Sequence, residues 1–333
     1  MEWPNPYVAC LGEALVLLPA VPAESDTAPT DLTGALPAGA ELNVAAGLSA
    51  AGLRTAWLGR VGNDPYGAFL LSEMRARGID VGGVEIDEHR PTGSYAKEPG
   101  IGPDGEPKTR MHYRRAGSAA SAMGPEFLEV PEVLERIRAA RYVHFSGITA
   151  ALSPSCAELM RQLVMGERVS SLCFDVNWRE QMWPDGDPAP VIELAGVSDI
   201  VLVGADEAER VFGVGDVEAL RRFLPGPELI VVKDGATMAL AIDRKGQITR
   251  QPALKVDVVE PVGAGDAFAA GFLAGLVREE PVQRCLRRGH LSAAAVLTVE
   301  GDSAPALDDM LLELRAGEWF RVRVGSGGKV TMT

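Results

Sequence analysis

A short run of small residues in the C-terminal third of the chain is the segment best suited to chemistry. Gly263-Ala264-Gly265 is a turn that leads into an apolar, alanine-rich stretch typical of a buried helix. Backbone amides at the start of such a helix point outward, and the partial positive charge there attracts an anion. The run therefore predicts a site for a phosphate group, with these three residues as candidate catalytic residues.

Asp266 follows this turn directly, at a place where a carboxylate would repel the anion that the amides attract. A carboxylate there suits a general base, which takes a proton from a hydroxyl while the amides hold a phosphoryl group. The competing interpretation is an ordinary Asp helix cap, because Gly-x-Gly-Asp alone is only moderately specific. We predict that Asp266 is the catalytic base.

Strand-like and helix-like segments alternate along most of the chain. The strand candidates are residues 7–18, 55–58, 142–145, 170–174, 200–203, 229–232 and 239–242. The helix candidates are residues 43–51, 65–76, 131–139, 155–165, 206–212 and 216–223. This order predicts an α/β fold with a mostly parallel sheet wrapped by helices, whose ligands bind beyond the carboxyl ends of the strands.

Two stretches, residues 19–37 and 82–115, interrupt the alternation with Pro, Gly and short strand-like pieces. Long inserts of this kind often serve as lids or binding loops, so we predict a small β-strand lid built from residues 13–37 and 84–116. A disordered surface loop is the alternative. The Gly-rich end predicts a flexible tail over residues 316–333, which leaves residues 1–315 as one α/β domain.

The motifs resemble those of one enzyme family. Gly263-Ala264-Gly265-Asp266, followed by Ala-Phe and a further Gly, resembles the C-terminal signature of the ribokinase-like (PfkB) carbohydrate kinases. Residues 39–45 and 58–64 resemble the N-terminal signature, and the likeness spans roughly residues 7 to 305. The resemblance implies a three-layer α/β/α fold and an ATP-dependent phosphotransferase that uses Mg²⁺.

Within the family, the chain is most similar to the kinases of 2-keto-3-deoxygluconate, which phosphorylate its terminal hydroxyl. The supporting segments are residues 12–13, 113–121, 146–149 and 175–179. Arg115 and Arg179 come from distant segments, and two guanidinium groups suit a sugar acid because each binds a carboxylate through a bidentate fork. The alternatives are a kinase for fructose, 5-keto-2-deoxygluconate or another sugar or sugar acid, and a non-catalytic sugar-binding protein on the same fold.

The resemblance also implies binding residues. Around the substrate it places Gly39, Tyr95, Tyr113, Arg115, Ile148, Arg179 and Asp266. On the nucleotide side it places Gly204, Glu207, Lys233, Gly235, Gly263, Gly265 and His290, with Glu207 acting on Mg²⁺. Gly204 and His290 stand where relatives often have Asn, and Met238 stands where they have Gly. Glu260 replaces an Asp near which many relatives bind a monovalent cation, so dependence on potassium stays open.

Composition bounds the partners. The 333 residues carry a net charge of −14, which disfavours binding to nucleic acid or to an anionic membrane. Nothing at the N-terminus resembles a signal peptide and no apolar run is long enough to span a bilayer, so we expect a cytoplasmic protein. Its partners would then be ATP, a small sugar acid and, through the strand edges of the lid, a second copy of the chain.

Overall fold

A nine-stranded sheet forms the centre of the protein in the computed structural model, which describes residues 8–19, 31–101, 107–167, 169–301, 304 and 307–332. Its strands lie in the order β13-β12-β11-β10-β9-β8-β1-β4-β5. They are β1 (Val8–Leu11), β4 (Thr55–Gly62), β5 (Val84–Asp87), β8 (Tyr142–Ser146), β9 (Ser171–Asp175), β10 (Ile200–Gly204), β11 (Leu229–Asp234), β12 (Met238–Asp243) and β13 (Ile248–Pro252). The pairs from β5 to β11 are parallel, whereas the pairs β11–β12 and β12–β13 are antiparallel, so β12 alone among these nine strands runs in the opposite direction.

Helices cover both faces of this sheet. They are α1 (Ala40–Ala50), α2 (Pro65–Ala76), α3 (Pro131–Ala139), α4 (Gly147–Ala150), α5 (Pro154–Met165), α6 (Ala189–Val197), α7 (Ala205–Phe212), α8 (Val217–Phe223), α9 (Ala264–Val277), α10 (Val282–Leu297) and α11 (Ala316–Trp319). One core lies between the sheet and α3 and α5 to α8, and a second lies between the sheet and α1, α2, α9 and α10. The predicted three-layer α/β/α arrangement is therefore confirmed.

Strand β10 explains why the chain builds two cores. Val201 and Val203 belong to one core, whereas Ile200 and Leu202 belong to the other. Successive side chains of a strand point to opposite faces, so an uninterrupted apolar run supplies both faces at once. The parallel direction of the neighbouring strands then brings their carboxyl ends to the same edge of the sheet.

A separate four-stranded sheet, which we call the lid, lies over that edge. Its strands follow the order β3-β2-β6-β7, with β2 (Leu15–Leu18), β3 (Leu36–Ala38), β6 (Ser94–Ile101) and β7 (Pro107–Arg114). Both predicted inserts contribute to it, although residues 20–30 and 102–106 lie outside the described residues. Residues 84–87 do not, because they form strand β5 at the edge of the central sheet.

Two sequence predictions about local structure were wrong. Residues 7–18 do not form one strand, because the chain leaves the central sheet at Gly12 and enters the lid at Leu15. A Cβ at Gly12 would collide with the side chain of Glu41, so only glycine allows that side chain to cross the strand end here.

The predicted flexible tail is also part of the fold. A third sheet has the order β14-β15-β16, with β14 (Lys255–Val256), β15 (Val322–Gly325) and β16 (Lys329–Met332). Trp319, Val322 and Val324 are buried in a small core with Leu291 and Ala294 of α10. The Gly-rich segment is a turn between β15 and β16, and the burial of the apolar residues before it holds this segment against the fold.

Within the residues that the structure describes, none of the helices is both long and apolar enough to cross a membrane.

Candidate active site

A cavity of about 1150 Å³ lies between the lid and the carboxyl ends of β8 to β11. It brings together almost all the predicted site residues, which come from both halves of the chain. Those that line it are Gly39, Tyr95, Tyr113, Arg115, Ile148, Arg179, Gly204, Glu207, Lys233, Gly235, Gly263, Gly265 and Asp266.

The start of helix α9 forms one wall of this cavity. Gly263 precedes the helix with φ 82°, a left-handed conformation that other residues adopt only with strain. The first helical bond runs from the amide of Ala267 to the carbonyl of Gly263, at 2.9 Å. The amides of Ala264, Gly265 and Asp266 precede that bond, so they face the start of the helix as an anion site requires.

Two asparagine amides hold the carboxylate of Asp266. Asn43 of α1 donates from Nδ2 to Oδ2 of Asp266 at 2.9 Å, and Asn177, after β9, donates from Nδ2 to Oδ1 at 3.4 Å. Asn177 is buried, has φ 39°, and leaves its own amide oxygen without a hydrogen bond. Strained backbone at a site usually reflects a functional constraint, here the need to direct an amide at Asp266.

The surroundings of Asp266 shift the pKa of its carboxyl group. Burial raises the pKa of its carboxyl group to about 7, the negative charges of Asp175 and Glu41 act in the same direction, and the Asn43 hydrogen bond and Lys233 oppose them. A base whose pKa lies near neutral pH combines a large ionised fraction with a strong pull on a proton. The position and the pKa of Asp266 thus agree with a general base.

Lys233 supplies a fixed positive charge beside the start of α9. Its ammonium group bonds both carboxylate oxygens of buried Asp175, at 2.7 and 3.0 Å. Burial works against the charged form of Lys233, but Asp175 and Glu207 outweigh it and raise the pKa of this ammonium group. A Cβ on Gly265 would lie 3.8 Å from Nζ, so the charge sits next to the anion-binding turn.

Glu207 lies in the first turn of α7, where one carboxylate oxygen accepts a backbone hydrogen bond and the other is only weakly bonded. Oε2 accepts a hydrogen bond from the amide of Gly204 at 2.8 Å, and within the described part of the chain Oε1 receives only a long contact of 3.4 Å from Arg179. Burial raises the pKa of Glu207, whereas Lys233 and the Gly204 amide lower it. A carboxylate with an available oxygen on the cavity wall fits an Mg²⁺ ion, which binds few protein carboxylates and keeps waters and substrate phosphates as its other ligands.

Arg115 is held in place by a buried carboxylate. Its Nη2 donates to Glu13, which is 1% exposed, and its guanidinium lies 5.1 Å from the centre of the Tyr113 ring. Among the residues that the structure describes, the Met182 sulfur, at 3.2 Å, is the one hydrogen-bond partner of Nη1, and a thioether is a weak acceptor. The guanidinium is thus oriented by one ion pair and keeps a donor for a stronger acceptor.

Arg179, the second arginine expected to bind the substrate carboxylate, is less fixed in position than Arg115. Its side chain is 56% exposed, and Nη1 donates to the carbonyl of Trp178 at 2.9 Å and to Glu207 at 3.4 Å. Both arginines line the cavity, but each already faces a carboxylate. The cavity therefore has less net positive charge than two free arginines would give it.

Gly39 shows why a glycine stands before α1. Its φ is 130°, and a Cβ there would collide with the carbonyl oxygen of Glu13. The close approach brings the start of α1, and with it Asn43, against the strand end that carries Glu13. A larger residue would move the base-holding amide away from Asp266.

His290 is not brought to the cavity. It is buried in α10, where Nε2 lies 3.0 Å from the carbonyl of Gln251 and the ring meets Phe268 edge-on at 5.3 Å. Burial lowers the pKa of this imidazole to about 4, so it is neutral near pH 7. The His290 side chain points into the interior and does not line this cavity, so the nucleotide contact expected of His290 stays a prediction that the cavity does not support.

Sequence reasoning missed the residues that hold the predicted ones. Asn43 and Asn177 lie inside segments that the family resemblance had marked, but their spacing from Asp266 is 223 and 89 residues. Glu13 and Asp175 were likewise visible only as residue types. Pairings over such separations follow from the order of strands in the sheet, which no local pattern states.

Comparisons of the sequence with known proteins point to one family. The profile of the pfkB family carbohydrate kinases matches residues 5–309. A 2-dehydro-3-deoxygalactonokinase from Haloferax volcanii is 34% identical over 289 residues, which cover 84% of this chain and 88% of the relative. A 2-dehydro-3-deoxygluconokinase from Thermoproteus tenax is 34% identical over 271 residues, covering 80% and 81%.

A solved structure extends the agreement to the whole fold. The crystal structure of a PfkB protein from Polaromonas sp. JS666 has a TM-score of 0.74 and 33% identity, covering 90% of this chain and 98% of that one. With the family profile, the two relatives and the cavity built around Asp266, the chain belongs to the pfkB family of carbohydrate kinases.

Proposed function

We propose that the protein transfers the γ-phosphoryl group of ATP to the terminal hydroxyl of 2-keto-3-deoxygluconate, also called 2-dehydro-3-deoxygluconate. The observation that carries the proposal is one cavity with a base of pKa about 7, Asp266, at a helix start and an oriented guanidinium, Arg115, on its wall. The first arrangement suits phosphoryl transfer and the second suits a substrate carboxylate. The names of the two relatives support the same substrate class.

In the proposed reaction, each residue acts through the contacts described above. Asp266 takes the proton of the terminal hydroxyl as that oxygen bonds to the γ-phosphorus of ATP; the bond between this phosphorus and the oxygen that bridges to the β-phosphate breaks, and ADP leaves. The amides of Ala264 and Gly265, together with the Lys233 ammonium group, stabilise the charge on the transferred group. Arg115 holds the carboxylate at the other end of the substrate, which fixes the distance from that end to the reacting hydroxyl.

The remaining binding residues keep the roles that the family resemblance implies. Gly39, Tyr95, Tyr113, Ile148 and Arg179 would surround the sugar acid, and Gly204 and Gly235 would lie beside the nucleotide. Mg²⁺ would be held by Glu207, and the bound ion supplies neutralising charge to the phosphates. Since ATP is a cytoplasmic metabolite, we place the reaction in the cytoplasm.

The monovalent cation fits less well than Mg²⁺. Glu260 bonds the ammonium group of Lys97 at 3.0 Å and accepts the amide of Val262 at 3.3 Å. Its carboxylate therefore already faces a positive charge, and we propose a kinase that does not require potassium.

The lid offers a contact between copies of the chain. Strands β3 and β7 are its outer strands, and edge strands carry backbone groups that can pair with a second sheet. We propose a homo-oligomer that forms through the lid, which sedimentation would detect as a mass above 35.3 kDa.

The test is an ADP-release assay over a panel of acceptors, with purified protein, ATP and Mg²⁺. The panel contains 2-keto-3-deoxygluconate, its galactonate epimer, 5-keto-2-deoxygluconate and fructose. We expect kcat/KM for the 2-keto-3-deoxy acids to exceed that for fructose by at least about 10²-fold, because a neutral sugar leaves the Arg115 donor without an acceptor. Equal or better turnover of fructose would refute the substrate class.

The galactonate epimer, 2-keto-3-deoxygalactonate, is the second candidate substrate, and the names of the relatives favour testing it. The two relatives share 34% identity with this chain, yet their names differ in the configuration of one carbon. The ratio of the two kcat/KM values in the same assay decides between a selective gluconate kinase and one that accepts both acids.

A further inference from the structure

An ion pair joins the lid to the loop that carries the anion-binding turn. Lys97, on lid strand β6, places Nζ 3.0 Å from Oε2 of Glu260, and the two residues are 163 positions apart. Their side chains are only 16% and 24% exposed, so water screens this pair less than it screens a surface pair. Glu260 lies three residues before Gly263, where the turn begins.

The same loop is fixed on its other side by backbone bonds. The amide of Val259 donates to the carbonyl of Leu297, at the end of α10, at 2.7 Å. Within the loop, Oε1 of Glu260 accepts the amide of Val262 at 3.3 Å. Thus one carboxylate orders the residue before Gly263 with one oxygen and binds the lid with the other.

The charge of the Glu260 carboxylate affects phosphate binding at the Gly263 turn. A carboxylate this close to the start of α9 repels a phosphate that the helix amides attract, and a paired ammonium group cancels that repulsion. The loop and the lid strand also share the cavity, because Pro261 and Val262 line it together with Glu98, the neighbour of Lys97. The lid is therefore in a position to influence the phosphate end of the site as well as the sugar end.

We propose that Lys97 is a positioning residue. By pairing with Glu260 it holds the loop before Gly263 in place and neutralises the Glu260 carboxylate, so the turn binds a phosphate fully only when the lid lies over the site. The proposal rests on the proposed function for the identity of the acceptor. Its consequence is a lid that contributes to ATP binding through Lys97 and to sugar binding through Tyr95 and Tyr113.

The experiment is a double-mutant cycle on the full chain. The variants are Lys97→Met, Glu260→Gln and the double variant, with Lys97→Arg as the version that keeps the cation. Arg114→Met is the control, since it removes a different lid cation, which is exposed and lies outside the loop contact. For each protein we measure kcat, the KM of both substrates, the melting temperature, and the Kd of ATP with Mg²⁺ by calorimetry without any acceptor.

The expected result has three parts. Lys97→Met leaves the Glu260 carboxylate unpaired beside the turn, so it lowers kcat and weakens ATP binding by about tenfold, while the KM of the sugar acid changes less than twofold. Glu260→Gln removes the repelling charge together with the pair, so its losses are smaller, about threefold. The double variant resembles Glu260→Gln, because the loss of Lys97 weakens ATP binding only while the Glu260 charge is present. Lys97→Arg and Arg114→Met stay within about threefold of the unmodified protein.

Three results would overturn the proposal. They are unchanged ATP affinity in Lys97→Met, losses that multiply in the double variant, and a loss that falls equally on both substrates together with a lower melting temperature. The calorimetric Kd needs no acceptor, so it tests Lys97 even if another sugar is the substrate. A failure of the proposed function is seen separately, in the acceptor panel of the unmodified protein.

Discussion

Nδ2 of Asn43 lies 2.9 Å from Oδ2 of Asp266, which makes Asn43 the nearest hydrogen-bond donor recorded for the proposed base. The bond favours the ionised carboxylate and opposes the burial that raises the pKa of Asp266 to about 7. Helix α1 and helix α9 therefore set the reactivity of the base together.

The first prediction concerns the pH dependence. Because the ionised form of Asp266 accepts the proton, kcat/KM falls below pH 7, to about a tenth of its plateau at pH 6. In Asn43→Ala the acid limb moves to higher pH by about 0.5–1 unit, since the ionised form loses its donor. Asn63→Ala, which removes an exposed amide bonded to Glu88, leaves the limb in place. A pH–rate profile of the three proteins checks both statements.

The second prediction concerns the base itself. Asp266→Asn keeps the shape of the side chain and removes the proton acceptor, so turnover falls by about 10²–10⁴-fold. Binding of the sugar acid stays largely intact, because the variant leaves Arg115 unchanged. Steady-state kinetics and a calorimetric Kd measure the two quantities, and near-normal turnover would contradict the mechanism.

The third prediction concerns stability. The pKa of Asp266 is about 7 in the folded protein and about 4 in an unfolded chain. Between those pH values the folded state holds a proton that the unfolded state lacks, so this group's contribution to stability is present below pH about 4 and is lost as the pH rises to 7. Asp266→Asn cannot ionise, and we expect it to be more stable than the unmodified protein at pH 8, by about 1–3 kcal/mol. Denaturant unfolding at pH 8 and pH 5 tests this, because the gain must shrink at the lower pH.

The fourth prediction concerns the substrate carboxylate. Arg115→Ala raises the KM of a sugar acid by about 10²-fold, whereas a neutral acceptor is hardly affected. The variant also leaves Glu13 buried without its partner, which costs about 3 kcal/mol of stability. Arg114→Ala is the control, since Arg114 is exposed on the same strand. A KM for the acid within twofold of normal would argue for a neutral substrate.

The fifth prediction concerns potassium. Replacing potassium chloride by tetramethylammonium chloride at equal ionic strength changes kcat by less than twofold, because Lys97 already faces the carboxylate of Glu260. The large organic cation keeps screening constant but cannot enter a small site. A strong loss of activity would mean that a metal cation acts at this loop.

Local patterns predicted the features that depend on neighbours along the chain. Gly263 to Asp266 form the expected helix start, and the uninterrupted apolar runs at 200–203 and 229–232 are strands of a parallel sheet. The prediction of a flexible C-terminal tail failed because the placement of that segment depends on residues far away in the sequence. Gly327 and Gly328 suggested a flexible tail, but the burial of Trp319 against a distant helix places that segment in the fold.

By itself, the sequence determined most of the alternation of strands and helices in the central sheet, the helix start that carries Asp266, and the kinase family, because each of these is written in contiguous residues. Only the tertiary structure decided which polar groups meet: the ion pairs of Arg115 with Glu13 and of Lys233 with Asp175, and the hydrogen bond from Asn43 to Asp266. Those pairs join residues 58 to 223 positions apart. Their formation depends on the order of strands in the sheet and on the burial that desolvates each charge, and both exist only after the chain has folded.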